Sequence, residues 1–274
     1  MPGLTADTAE RADANFVVHA TWVAAHTAGM RSRIDETLVL ADSGLPCDTF
    51  NFVCRARLAE GAARAAAVDA VAHFAGAGRP FSWWLGPADR PDSLGAVLEA
   101  IGLAAEESEL AMALPLADLP RAIAPVAGLE IRRVRTQIEL ETFAELSAAN
   151  WTPPDPNVLA FYRLGAAVLL DPGSPQRLYV GHLDGEPVAT AEATVASGTV
   201  GLYGIATRPE FRHRGIGSAM TWQPLRDAAA DGCDLAVLQA APAGVGLYRR
   251  LGFTPFGEIA EYKPRGQWTP APRA

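Results

Sequence analysis

The chain has 274 residues, 49% of them hydrophobic and 20% charged, with a net charge of −8. That length suits two medium domains or one large one, and the composition is that of an ordinary globular protein. The acidic balance argues against a nucleic-acid binder working through a broad basic surface, and no stretch approaches the 18 unbroken apolar residues of a membrane span.

Residues 8–33 are predicted mostly helical, with a break at Gly29. Residues 36–41 form a strand, `DSGLPCD` a turn, and 49–57 a second strand. An Ala-rich helix covers 62–74, and `RPFSWWL` at 79–85 is a strand with paired tryptophans. In the turn `GPADRPDS`, Asp92 or Ser93 caps a helix over 94–101. A strand over 109–116 precedes the proline-bearing `LPRAIAPVAG`, a linker at 119–128.

The second half starts with a strand at 129–133 and a helix at 136–147. `TPPDPN` interrupts the chain before a helix over 158–169. Strands 178–183 and 188–196 flank a `DGE` turn and form a hairpin, followed by a strand at 199–207. A helix over 216–231 carries Pro224 as a kink. A strand at 235–239, a helix at 245–251 stopped by Gly252, and a strand at 256–262 complete the order. The reading divides the chain into 1–118, the linker 119–128, 129–264 and a tail at 265–274.

The segment `ATRPEFRHRGIGSAM`, 206–220, carries the most chemistry. It joins a strand end to a helix start through a turn of Arg and Gly. Such a junction converges backbone N–H groups, and the helix N-terminus adds its positive end, which suits a pyrophosphate. Gly215 and Gly217 carry no Cβ, so an anion can approach the backbone. The amides from His213 through Arg214, Gly215, Ile216 and Gly217 to Ser218 are the candidate donors. Arg214 and the His213 ring add side-chain contacts. Arg212 either contacts phosphate or supports the loop.

The spacing Arg212-x-x-Gly215-x-Gly217 resembles the coenzyme A loop of the GNAT acetyltransferase superfamily. The segment `AAPAGVGLYRRLGF`, 240–253, is similar to that family's tyrosine-bearing stretch. The resemblance implies an α/β fold with a mixed sheet, the acyl-CoA N-acyltransferase fold, complete over 129–264. Residues 1–118, with `RPFSWWLGPADRPDSLGAVLEAIGL`, look like a degenerate first copy seen in a bacterial branch, without a coenzyme loop. It implies acetyl-CoA as cosubstrate. Strand 199–207 then splays from its neighbour, and Ile205, Ala206 and Thr207 offer backbone to the pantetheine arm. Tyr248 matches the tyrosine near the coenzyme sulfur and is the candidate acid for the departing thiolate.

Two departures matter. Ala240 and Ala241 stand where the family often has Asn or Ser, and `TVGLYGIAT` lacks the Glu that many relatives use as base. Glu192, on the preceding strand, is the carboxylate chosen as base or acceptor anchor, ahead of Glu258 and Glu261. Water is the alternative route for the proton. Tyr203, Trp151 and Phe161, with Tyr162, are candidates for the acceptor pocket. The expected reaction is acetyl transfer to a primary amine of a small molecule or peptide. The alternatives are a weakly active acyl-CoA-binding or regulatory protein, and transfer to a hydroxyl or thiol.

Cys47, Cys54 and Cys233 share no metal-ligand spacing and make no disulfide framework, which fits a reducing cytosol. The five histidines form no short-spaced cluster with Cys or Asp, so no metal is expected. `MPGLTADTAERADANF` lacks a signal-peptide pattern, so a cytoplasmic monomer or homodimer is expected, with no nucleic acid or membrane as partner.

Overall fold

A computed structural model describes residues 6–106 and 108–265. The expected tail at 265–274 lies outside them apart from Arg265. The chain forms two compact units. Among the described residues, one comprises those from 6 to His19 together with Leu110–Phe256, and the other comprises Ala20–Glu109 and those from Gly257 to 265. The first helix, α1 (Ala6–His26), is divided between them.

The unit holding Ala20–Glu109 contains β1 (Arg31–Ile34), β2 (Val39–Asp42), β3 (Asn51–Cys54), α2 (Ala63–Gly76), β4 (Ser82–Leu85), α3 (Leu94–Ala100) and β5 (Leu103–Ala105). The helix predicted over 8–33 is therefore too long. Gly29 adopts φ +88°, and Arg31–Ile34 pairs antiparallel with β2. β2 pairs antiparallel with β3, and β3 runs parallel to β4. Ala63, Ala67, Ala70, Val71 and Phe74 line the buried face of α2 at helical spacing. They pack with Leu38, Val53, Phe81, Trp83, Leu94 and Leu98. Ser93 begins α3 without a side-chain cap, and its hydroxyl donates to Glu60 Oε1 at 2.6 Å. The short β5 was not predicted.

The other unit contains most of β6 (Glu109–Pro115), then β7 (Leu129–Arg133), α4 (Gln137–Ala148), α5 (Pro156–Leu164), α6 (Ala166–Leu169), β8 (Gln176–Leu183), β9 (Glu186–Ala196), β10 (Thr199–Thr207), α7 (Ile216–Ala230), β11 (Leu235–Ala240) and α8 (Val245–Arg250). Thr136 and Glu139 form a reciprocal capping box at α4. Asp155 caps α5 and Pro156 takes its first position. Gly165 separates α5 from α6, which splits the single helix expected there. The helical assignment of α7 continues through Pro224.

The strand order in this unit is β6-β11-β10-β9-β8-β7. All neighbours are antiparallel except β10 and β11, which are parallel. Met112, Leu114, Leu202, Met220, Leu238 and Phe253 form its buried core. Each such side chain stabilises the fold by about 1.5–3 kcal/mol relative to exposure.

The last strand, β12 (Thr254–Pro264), pairs antiparallel with β4 and β5 through Ala260–Pro264. Each unit therefore takes a closing antiparallel strand from the other half of the sequence: β6 beside β11 in one, β12 beside β4 in the other. These units are drawn differently from the linear split at 119–128. The linker segment packs Ile123 and Val126 against the core around α7, and the Trp222 indole donates to the Pro120 carbonyl at 2.7 Å.

Candidate functional site

The site begins where two ladders fail to match. β10 pairs with β11 only over Thr199–Leu202 and Leu235–Leu238. From Tyr203 to Thr207 it continues with β9 alone. Between Tyr203, opposite Glu192, and Ala206, opposite Thr190, β10 spends one residue more than β9. This is a β-bulge, and Gly204 within it adopts φ +54°. Such a bulge bends its strand and frees its backbone groups beside a widening gap. Ile205, Ala206 and Thr207 are half-buried along that stretch.

β10 feeds the glycine loop. Phe211 ends a short 3₁₀ turn, and His213 and Gly215 follow with φ +62° and +83°. Gly215 begins α7 with no side-chain cap, so the first-turn amides of Ile216, Gly217 and Ser218 have no intrahelical partner. A Cβ on Gly217 would lie 3.1 Å from Leu247 Cδ1, and one on Gly215 would lie 3.3 Å from Val126 Cγ2. Arg212 supports the loop: its Nε donates to the Thr207 carbonyl at 2.9 Å. The Arg214 guanidinium lies 5.4 Å from the centre of the Phe211 ring and is exposed, as is His213. Open amides, positive-φ turns and exposed cationic side chains together fit a diphosphate.

Tyr248 lies on α8, half-buried against the core, with its ring 5.9 Å from that of Phe253. Gly244 makes room for it, since a Cβ there would lie 2.9 Å from Tyr248 Cε2. Leu247, one residue earlier, touches the space above Gly217. One short helix therefore carries both the tyrosine and a wall of the glycine loop.

A second group of side chains gathers on the other side of the bulge. Glu192 is buried on β9. Its Oε1 lies 3.0 Å from His19 Nδ1, and its Oε2 accepts from the Tyr162 hydroxyl at 3.5 Å. Burial, reinforced by the Glu192 charge, pushes the Tyr162 hydroxyl well above the usual phenol range, so it remains a donor. The His19 ring stacks on Tyr203 at 3.7 Å with planes 11° apart. Tyr203 in turn donates to Asn15 Oδ1 at 2.9 Å. The Asn15 amide nitrogen donates to the carbonyls of Thr194 and Thr199. Gly201 keeps this space open, since its Cβ would fall 2.0 Å from Asn15 Oδ1.

The structure thus brings Glu192, Tyr203 and Tyr162 together. Phe161 is half-buried and meets Tyr162 edge-on at 5.5 Å. Trp151 is 43% exposed. Its neighbours Asn150 and Thr152, but not Trp151 itself, line a cavity of about 330 Å³ with Thr190, Ala206, Arg208 and Arg212. Glu258 and Glu261 belong to the other unit, where Glu261 accepts from Ser82 and pairs with Lys263. Asn15 and His19 were not anticipated as site residues. The available signal was a stripe at helical spacing, Thr8, Arg11, Asn15, His19 and Trp22, polar at positions where α1 packs.

No helix among the described residues is long and apolar enough to cross a membrane. Those residues also contain no group of three His, Cys, Asp or Glu able to hold a metal ion.

Residues 140–253 match the family model described as "Acetyltransferase (GNAT) family". Solved structures agree in fold. A GCN5-related N-acetyltransferase from Kribbella flavida aligns with a TM-score of 0.71 at 23% identity, covering 97% of each chain. A tandem GNAT protein from the clavulanic acid biosynthesis pathway aligns at 0.56 and 15%, covering 95% of this chain and 96% of that one. A GCN5-related N-acetyltransferase from Sphaerobacter thermophilus aligns at 0.58 and 16%, covering 78% and 72%. No curated protein matches the chain in sequence. Residues 140–253 thus match a GNAT acetyltransferase family model, and the chain shares the fold of these GNAT structures, a tandem one included.

Proposed function

We propose that the chain transfers an acetyl group from acetyl-CoA to a primary amine of a small molecule or peptide. The observation that carries this reading is the splayed, bulged end of β10 running into the uncapped N-terminus of α7. The first-turn amides and Arg214 would hold the diphosphate, and Ile205 and Ala206 would offer backbone to the pantetheine arm. Arg212 is engaged with Thr207 and shapes the loop.

In the transfer, the amine lone pair attacks the thioester carbonyl and the carbon–sulfur bond breaks. The Tyr248 hydroxyl protonates the departing thiolate and regains a proton from the acylated nitrogen, and Glu192 supplies negative charge on the acceptor side. Tyr203 and Phe161 border the acceptor space. The unit of Ala20–Glu109 carries no coenzyme in this reading.

The test is thermal unfolding with and without acetyl-CoA, followed by an amine panel read as CoA release. Saturating acetyl-CoA is expected to raise the transition temperature. No shift would remove the cofactor assignment, whereas a shift with no turnover on any amine would favour the binding-protein alternative. The absence of a carboxylate from Thr199–Thr207 is what keeps that alternative specific.

A further inference from the structure

We infer that His19, on the first helix and outside the 140–253 match, is the catalytic base that deprotonates the acceptor amine, with Glu192 as its positioning residue. This rests on the acyl-transfer reading above.

The geometry assigns the roles. An ionised carboxylate only accepts hydrogen bonds, so the 3.0 Å contact from Glu192 places the imidazole proton on Nδ1. Nε2 is then left with its lone pair, and it bonds to no described residue. Thr194 Oγ1, at 3.4 Å, also faces Nδ1 rather than Nε2. The stacked Tyr203 fixes the ring plane, and the Phe16 ring lies 6.0 Å away. Gln176 Nε2 donates to the His19 carbonyl and anchors the backbone. A carboxylate that sets the tautomer and orientation of an imidazole makes it a competent proton acceptor. The His19 side chain keeps 17% of its surface exposed, whereas Glu192 keeps 9% and has both oxygens engaged. Of the two, the imidazole is the one with an open acceptor. It lies against Tyr203, the residue that immediately precedes the bulge.

In the step, one N–H bond of the acceptor ammonium breaks and the proton passes to His19 Nε2. Glu192 stabilises the resulting imidazolium. The freed lone pair forms the bond to the acetyl carbonyl carbon. The carbon–sulfur bond then breaks, and the thiolate takes the Tyr248 proton. The second nitrogen-bound proton restores Tyr248, and the imidazolium proton leaves to water. The net reaction yields amide, CoA thiol and one proton.

The experiment uses the full chain with acetyl-CoA and three acceptors: benzylamine, cadaverine and a lysine-containing peptide. His19→Asn is expected to lower kcat about 10²-fold or more while leaving the acetyl-CoA thermal shift and its KM unchanged. The rise of kcat/KM with pH given by a titrating imidazole is expected to vanish. A slope following free-amine concentration should replace it. The titratable groups facing His19 are Glu192 from β9 and Tyr203 from β10, with Tyr162 from α5 beyond the carboxylate. Glu192→Gln is expected to slow turnover about tenfold or more, with Glu192→Asp recovering part of the loss. Nitrogen-15 NMR of the wild-type imidazole should show the Nδ1–H tautomer, which requires neither turnover nor a stable variant.

An Nε2–H tautomer, or His19→Asn within twofold of wild type with an unchanged pH profile, overturns His19 as base and leaves the proposed function standing. Loss of the acetyl-CoA shift in the wild type, or turnover of none of the three amines, overturns the proposed function and this inference with it.

Discussion

Two junctions in this molecule follow one plan and end differently. In each, a strand leads through a loop to a helix that returns to a parallel neighbour: β10 to α7 and β11, and β3 to α2 and β4. At the first, positive-φ turns and an uncapped helix start leave amides open. The second shares a positive-φ residue, Arg55 at +52°, and an uncapped helix start at Ala62, but there the loop amides bond within the chain. Asp89 Oδ1 accepts from the Ala56 amide, and Oδ2 from that of Gly86, each at 2.6 Å. Arg57 N donates to the Thr37 carbonyl and Leu58 N to that of Arg90. Arg57 Nη1 also reaches Asp89 at 3.2 Å. A buried carboxylate occupies the second junction as an internal anion. In the proposed function it is the availability of the loop amides, rather than topology, that makes the first junction an anion site.

The comparison can be broken from either side. Gly217→Trp should act most strongly, because even a Cβ presses on Leu247. It is expected to abolish the acetyl-CoA stabilisation, which at 100 times Kd amounts to about 2.7 kcal/mol, as read by thermal unfolding. Tyr248→Phe should lower kcat by about 10²-fold with coenzyme Kd unchanged, as read by steady-state kinetics beside calorimetry. Asp89→Ala should strand one buried and one half-buried amide and cost about 1–3 kcal/mol in denaturant unfolding, while acetyl-CoA affinity stays the same. Arg214→Ala should weaken acetyl-CoA only several-fold, with a smaller effect at high salt, because the guanidinium is exposed.

The elements of the second half were readable because their signals are local. The β10 span at 199–207 coincides with the prediction, and Gly252, at φ +100°, ends α8 as its position suggested. The glycine loop was readable for the same reason, since its spacing is the device. What escaped depended on distant partners. Arg31–Ile34 becomes a strand only by pairing with β2, and β5 only by pairing with β12. The His19–Glu192 contact joins residues 173 positions apart, and no local pattern in α1 announces its partner. Trp151, 43% exposed beside the cavity residues Asn150 and Thr152, shows why a single aromatic in a sequence does not by itself locate a pocket.

The exchange of closing strands has a consequence for anyone dividing the gene. A fragment starting at residue 119 would contain the whole of 129–264 and yet lack β6. The β11 edge would then present unpaired N–H and C=O groups over Leu235–Ala240, a segment buried at five of its six positions. Bare apolar edges recruit strands from other molecules. Such a fragment should aggregate or dimerise unless a peptide spanning Glu109–Pro115 is supplied in trans. The seven residues of β6 thus lie on the wrong side of the obvious cut from the strand they pair with.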